Sequence, residues 1–356
     1  MRVLVAPDKF AGTLTAVEAA DAIAAGWRRQ APDDELDLLP MSDGGPGFVH
    51  VLAAALGGSL EPVVVRGPLG DPVPAELLRV GDTAYIESAQ ACGIHLTGEQ
   101  DAERATTYGV GELVVAAREA GASTAVVGLG GSGTNDGGAG LLAALGATAD
   151  RPLDQGVAGL AGITRLDLPG PGVAIVAASD VDNPLTGLFG ATKTFGPQKG
   201  IPEERLPAVD GLLEEFARAA GARTALEKGA GAAGGLGYAL LLLGAERRSG
   251  LELVAAATDL AGRARQADLV VTGEGAFDFS SRAGKVPYGV ASVAAEAIRP
   301  CVALAGQVLV GSREMRALGI ESAYSLVELV GEERAFADPA GALADLAARV
   351  ARSWSP

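Results

Sequence analysis

The stretch Gly128-Leu-Gly-Gly-Ser-Gly-Thr-Asn-Asp-Gly-Gly138 follows a β-rich run and precedes a helical one. Glycines let backbone N–H groups converge on an anion, and a helix N-terminus adds its dipole. Gly130, Gly131, Ser132, Thr134 and Asn135 are candidate binding groups here, and Asp136 is where Mg²⁺ or a substrate hydroxyl could be held. Gly128-x-Gly130-x-x-Gly133 also fits the dinucleotide fingerprint formally. The acidic residue expected at the end of a following strand is missing, because Asp150 sits in a turn-like Ala-Asp-Arg-Pro. The bland alternative is a tight strand–helix turn that needs glycine for packing. The polar residues between the glycines favour function.

A second constellation runs from Thr272-Gly-Glu-Gly to Lys285 and leaves a predicted strand at its carboxyl end, where α/β ligand sites gather. Glu274 and Asp278 suit Mg²⁺ or general-base work, and Lys285, just before a helix, suits a phosphate. The loop Glu227-Lys-Gly-Ala-Gly-Ala-Ala-Gly-Gly-Leu-Gly237, with Gly231 and Gly234, reads equally as an anion loop or as close helix packing. Lys228 tilts it toward the anion. Three shorter loops repeat the placement after strands. They carry Asp8 and Lys9, then Asp43, then Asp180 and Asn183 running on to Gln198 and Lys199. Each alone is best read as a turn, but their shared position makes them a set. There is no Gly-x-x-x-x-Gly-Lys-Ser/Thr motif and no Gly-x-Ser-x-Gly elbow. His50 and His95 are isolated, and Cys92 and Cys301 are too few for a disulfide framework or a zinc site.

The elements that must hold these loops alternate. Arg2–Ala6 reads as a strand, Ala16–Arg29 as a helix opened by a Thr15/Glu18 capping box, Glu35–Leu39 as a strand, Phe48–Leu56 as a helix and Pro62–Arg66 as a third strand. This order argues for a parallel sheet covered by helices. A turn cluster at Gly67–Pro72 breaks the rhythm, and Val73–Val80 with Thr83–Ser88 reads as an antiparallel pair. The βα rhythm returns after Leu251–Ala264. The expected fold is α/β. One doubly wound domain uses both ends of the chain, 1–66 and 256–356, and an inserted α/β domain with a mixed sheet spans 67–255.

The chain has 356 residues, 48% hydrophobic and 20% charged, with a net charge of -16. That is ample material for buried cores, and the acidic balance argues against nucleic acid and anionic membrane surfaces as partners. The N-terminal apolar run is too short for a signal h-region and no run is long enough to span a membrane, so a soluble cytoplasmic protein is expected. Of the 28 basic residues only five are lysines, namely Lys9, Lys193, Lys199, Lys228 and Lys285.

Taken in order, VAPDKFAGTLTAVEAA, PMSDGGPG, RGPLGDPV, YIESAQACGIHL, TTYGVGEL, GLGGSGTNDGGAG, ASDVDNPL, FGPQKG, GAGAAGG and VTGEGAFD resemble the bacterial type I glycerate kinase family along almost the whole chain. The resemblance implies a discontinuous Rossmann-like domain, an inserted second domain and a site between them. It also implies ATP-dependent, Mg²⁺-assisted phosphorylation of D-glycerate, giving 2-phosphoglycerate rather than 3-phosphoglycerate. The chain departs from the family pattern at Ala11, Pro46, Phe48 and Ser280. On this reading Asp136 and Glu274 contact the metal. Asp43 or Asp180 accepts the hydroxyl proton, with Asp278 in reserve, and Lys9, Lys199 and Lys285 neutralise phosphate or carboxylate. Two rival readings stand beside it: an NAD-dependent oxidoreductase, and a nucleotide- or glycerate-binding paralogue without catalysis.

Overall fold

The structure is a computed structural model that describes residues 1–10, 12–98, 101–278 and 285–355. Its strands, in chain order, are β1 (Arg2–Pro7), β2 (Glu35–Leu38), β3 (Ser59–Arg66), β4 (Pro72–Val80), β5 (Thr83–Glu87), β6 (Thr124–Gly128), β7 (Thr148–Ala149), β8 (Leu166–Asp167), β9 (Ala174–Ala178), β10 (Glu246–Arg248), β11 (Leu269–Phe277), β12 (Cys301–Val308) and β13 (Ser322–Ser325). The chain divides into two compact units, Met1–Asp43 with Leu251–Pro356, and Gly44–Gly250. Both are α/β. Among the described residues no helix is long and apolar enough to cross a membrane.

The first unit holds a wholly parallel sheet in the order β13-β12-β11-β1-β2. Its interior strand β1 is apolar on both faces, as a covered parallel sheet requires. Val3 and Val5 join the core beneath the helices Ala16–Gln30 and Pro339–Trp354, and Leu4, on the opposite face, is equally buried. Thr15 caps the first helix with the expected box: its side chain accepts from the Glu18 N–H at 3.2 Å, and the Glu18 carboxylate accepts from the Thr15 N–H at 2.9 Å. One register detail shapes the site. The β1–β11 ladder ends at Pro7↔Gly273, while β11 and β12 stay paired as far as Phe277↔Val308. A crevice therefore opens at the carboxyl end of β11, on the side β1 has left.

The second unit holds a mixed sheet in the order β10-β9-β6-β5-β4-β3. β3, β4 and β5 form an antiparallel meander, and β5, β6, β9 and β10 run parallel. β3 departs from the sequence expectation. It does not extend the first parallel sheet but pairs antiparallel with β4, from Ser59↔Arg79 to Arg66↔Pro72. The turn at Gly67–Asp71, closed by the Gly67 N–H donating to the Asp71 carbonyl at 2.7 Å, makes that hairpin local. The chain accordingly leaves the first unit after Asp43 rather than after residue 66. The core between this sheet and its helices includes an edge-to-face pair, Phe216 on Tyr238, with ring centroids 5.7 Å apart.

Candidate active site

In the first unit, the segments leaving the parallel neighbours β1 and β2 and the carboxyl-terminal part of β11 carry the expected charged groups. Asp8 directly follows β1 and is 5% exposed. Its Oδ1 accepts from its neighbour's backbone, Lys9 N–H, at 2.7 Å and from Lys9 Nζ at 3.4 Å. The same ammonium lies 3.6 Å from Asp43. Burial pushes the Asp8 carboxyl up to about 6, against the pull of the Lys9 ammonium. The Asp8 N–H donates to the Gly273 carbonyl at 2.8 Å, which sets it beside the strand position before Glu274. Glu274 is 5% exposed. Lys285, at the N-cap of the helix Val286–Glu296, holds its ammonium 3.7 Å from Glu274 and 3.8 Å from Asp278. The result is two carboxylate–ammonium groups, Asp8 and Asp43 about Lys9 and Glu274 and Asp278 about Lys285, near the strand ends where α/β sheets bind ligands.

In the second unit the Gly128–Gly138 loop leaves β6 and frames a cavity of about 370 Å³ lined by Leu129, Gly130, Gly131, Ser132, Gln198 and Lys199, among others. Lys199 ends the short turn Pro197–Lys199 and is 2% exposed. Its ammonium donates to Ser132 Oγ at 2.9 Å and to the Thr134 carbonyl at 2.7 Å. Burial lowers it to about 8. An ammonium has three donors, so one remains for a ligand. Asn135 is fully buried, and its amide donates to Thr192 Oγ1 at 2.9 Å, while its Oδ1 has no partner among the described residues.

Asp136 is placed differently from the expectation. It is fully buried, and its two oxygens accept four hydrogen bonds from the protein: Thr107 N–H at 2.8 Å, Thr107 Oγ1 at 2.9 Å, Gly140 N–H at 3.2 Å and Gly138 N–H at 3.0 Å. These bonds tie the loop and the start of the helix Ala139–Ala144 to the N-cap of the helix Tyr108–Glu119. An anchoring role accounts for every one of them. Thr107 is the partner that reading loops singly could not supply; the signal was the Thr106-Thr107 pair just ahead of a helical run.

The second glycine loop packs rather than opens. Ala233, Gly234 and Gly235 are all left-handed, with φ of 51°, 68° and 90°. A Cβ on Gly234 would run into the Thr134 carbonyl and lie 2.8 Å from Asn135 Cα. The Gly231 N–H donates to the Asn183 carbonyl at 2.8 Å. Gly234→Ala should therefore push Thr134 and Asn135 out of place and cost about 3 kcal/mol, read as a fall in Tm of roughly 6–12 °C. A variant that melts with the wild type would mean that the two loops are not in fixed contact.

Other expected residues divide. Asn183 staples its own loop, donating to the Phe189 carbonyl at 2.7 Å and to Thr194 Oγ1 at 3.3 Å. Asp180 is half-buried just beyond β9. Lys228 pairs with Asp182 at 2.9 Å, and Lys193 lies 3.5 Å from the buried Asp210, so both serve local ion pairs. Of the departures from the family pattern, Pro46 lies against Gly131, and Phe48 is fully buried against Gly128 with its ring edge-on to Tyr85 at 6.4 Å. Ala11 and Ser280 lie outside the described residues. Cys92 and Cys301 are buried thiols pushed up to about 12, which makes them packing groups.

Carboxylates and ammonium groups at strand ends, with a glycine loop gripping a buried lysine, are the equipment of an α/β phosphotransferase. A sequence profile described as the glycerate kinase family matches residues 3–355. The chain belongs to the glycerate kinase family. It is 40% identical to a glycerate kinase of Bacillus subtilis (strain 168), covering 92% of this chain and 90% of that one. It is 38% identical to a glycerate 2-kinase of Escherichia coli (strain K12), covering 93% and 92%. A solved structure assigned as a glycerate kinase 2 of Salmonella typhimurium LT2 superposes with a TM-score of 0.78 at 36% identity, covering 99% of this chain and 98% of that one.

Proposed function

We propose that this chain transfers the terminal phosphoryl group of ATP to the 2-hydroxyl of D-glycerate, giving 2-phosphoglycerate and ADP. The observation that carries the reading is family membership along 3–355. The site chemistry supports it. Glycerate is a small anion, and the buried Lys199 ammonium with Ser132 Oγ offers a carboxylate a charge-assisted grip in the cavity of the second unit. Gln198, on the same wall, suits a hydroxyl.

The first unit would take the phosphates, with Lys9 and Lys285 opposing their charge. That both units serve one reaction rests on the family motifs lying in both. Glu274 would be the contact for Mg²⁺, since a nearly buried carboxylate is the hard oxygen donor this cation prefers. Mg²⁺ bound there would neutralise phosphate oxygens as the transferring group loosens. Asp136 is not carried forward as a metal contact, because its oxygens are committed to Thr107, Gly138 and Gly140. Asp43 and Asp180 remain the proposed proton acceptors, with Asp278 in reserve.

The NAD-linked reading loses its one support. The fingerprint needs a helix opening at its third glycine, but the helix after Gly133 starts at Ala139, and a Cβ on Gly133 would clash with Thr97. The test is phosphorus NMR on the protein with ATP, Mg²⁺ and D-glycerate. The 2-phosphoglycerate resonance should grow in step with ADP. Unchanged ATP would sink the reading in favour of a binding paralogue, and the 3-isomer would overturn the regiochemistry.

A further inference from the structure

The crevice at the carboxyl end of β11 contains an apolar cavity of about 220 Å³ that the charged groups do not use. Its walls include Phe10, Gly275, Gly306, Gln307, Leu326 and Phe336. The cavity follows from the register described above. β11 and β12 run on as a pair after β1 has stopped, so Gly275 and Ala276 present a strip of strand surface facing no third strand. Phe10, 2% exposed, closes it from the β1 loop, and Leu326, 2% exposed, from the segment after β13.

Two of the lining side chains bear on what the cavity could hold. Phe336 keeps 61% of its surface exposed on the short helix Glu332–Ala337, an unusual position for a phenylalanine on a cavity rim. Gln307 is half-buried on the cavity wall and brings an amide to a largely apolar lining. An aromatic face, an apolar cavity and an amide with both a donor and an acceptor are the elements that recognise a planar heterocycle with hydrogen-bonding edges. Gly275 follows Glu274 on β11, and Phe10 follows Lys9 and Asp8. The Glu274 side chain takes the opposite face of the strand, so a ligand reaching from the cavity to that carboxylate crosses the carboxyl edge of the sheet.

We infer that this cavity holds the purine base of the nucleotide, with Phe336 stacking on the ring and Gln307 reading its edge, so that the triphosphate leads away toward Glu274 and Lys285. The inference rests on the kinase reading for its ligand. The volume suits the base alone, because whole drug-sized ligands occupy ~300 Å³ or more. The sugar and phosphates lie outside it.

The test compares two probes by calorimetry, without glycerate: Mg·ADP, which has the base, and Mg·tripolyphosphate, which does not. Phe336→Ala should weaken ADP about tenfold, as expected for one lost aromatic–base stack, and leave tripolyphosphate unchanged. Phe336→Tyr should restore ADP binding. Gln307→Leu should narrow the preference for ADP over GDP. Wild-type affinity for ADP in Phe336→Ala would overturn the inference, and so would equal losses for both probes. Because no acceptor is present, the two proposals fail separately. A protein that binds ADP through Phe336 but makes no phosphoglycerate refutes the glycerate reading. One that makes phosphoglycerate with Phe336 irrelevant to ADP refutes the base site.

Discussion

Lys199→Met should lower kcat/KM for glycerate by about a hundredfold or more while the protein stays folded, as measured by steady-state kinetics and thermal melting. The size is that of losing one preorganised charged donor from an enclosed site. Stability should move little, because two effects oppose. Burying an ammonium at 2% exposure is costly and methionine removes that cost. The Thr134 carbonyl and Ser132 Oγ, however, lose the donor they hold at 2.7 and 2.9 Å.

The pH profile separates a ligand contact from a structural prop. Burial has lowered Lys199 to about 8, so the group is an ammonium below that value and a neutral amine above it. Glycerate affinity should fall as pH rises through 8. The linkage for stability has the opposite sign. An unfolded lysine titrates near 10.5, so between about 8 and 10.5 the unfolded chain binds more protons and the fold gains stability with pH. Lost affinity above 8 is then not unfolding. Lys199→Arg, which stays charged, should keep a reduced but flat profile. A methionine variant within threefold of wild type, or an arginine variant with the wild-type profile, would remove Lys199 from the site.

The sequence made some of this visible because the signals were local. The Thr15/Glu18 box needs four consecutive residues, and the helix Phe48–Leu56 and the β4–β5 pair announce themselves through apolar spacing and an intervening turn. What stayed hidden depends on partners. β3 has the composition of a strand, but nothing in its own residues says which sheet it joins. β10, Glu-Arg-Arg, and β13, Ser-Ala-Tyr-Ser, are edge strands, which need no apolar run and gave none. The glycines of 231–237 read equally well as anion loop or packing seam, and the tie is broken by Thr134 and Asn135, about a hundred residues upstream. The lysines divide the same way. Lys199 faces a cavity, whereas Lys193 and Lys228 are engaged by Asp210 and Asp182, partners with no fixed sequence offset.

Asp136 is the strongest instance of a residue type that was legible and a role that was not, and replacing it separates the two roles. Asp136→Asn should lower Tm by roughly 6–12 °C in protein freed of metal and nucleotide, measured by calorimetry in a chelating buffer. The loss corresponds to about 3 kcal/mol. An asparagine has one oxygen acceptor. Set at the Oδ2 position it can keep Thr107 N–H, Thr107 Oγ1 and Gly140 N–H, but its NH₂ then meets the Gly138 N–H, donor against donor. The three retained bonds lose their charge assistance as well. A metal-binding carboxylate predicts otherwise. Without the cation it would be a buried charge in want of a partner, and neutralising it would leave the melting point level or raise it. Thr107→Val should reproduce part of the fall, and the double variant should lose less than the two singles together, because both cut the same bonds. An unchanged Tm in Asp136→Asn, joined to loss of Mg²⁺ dependence, would return the residue to the metal.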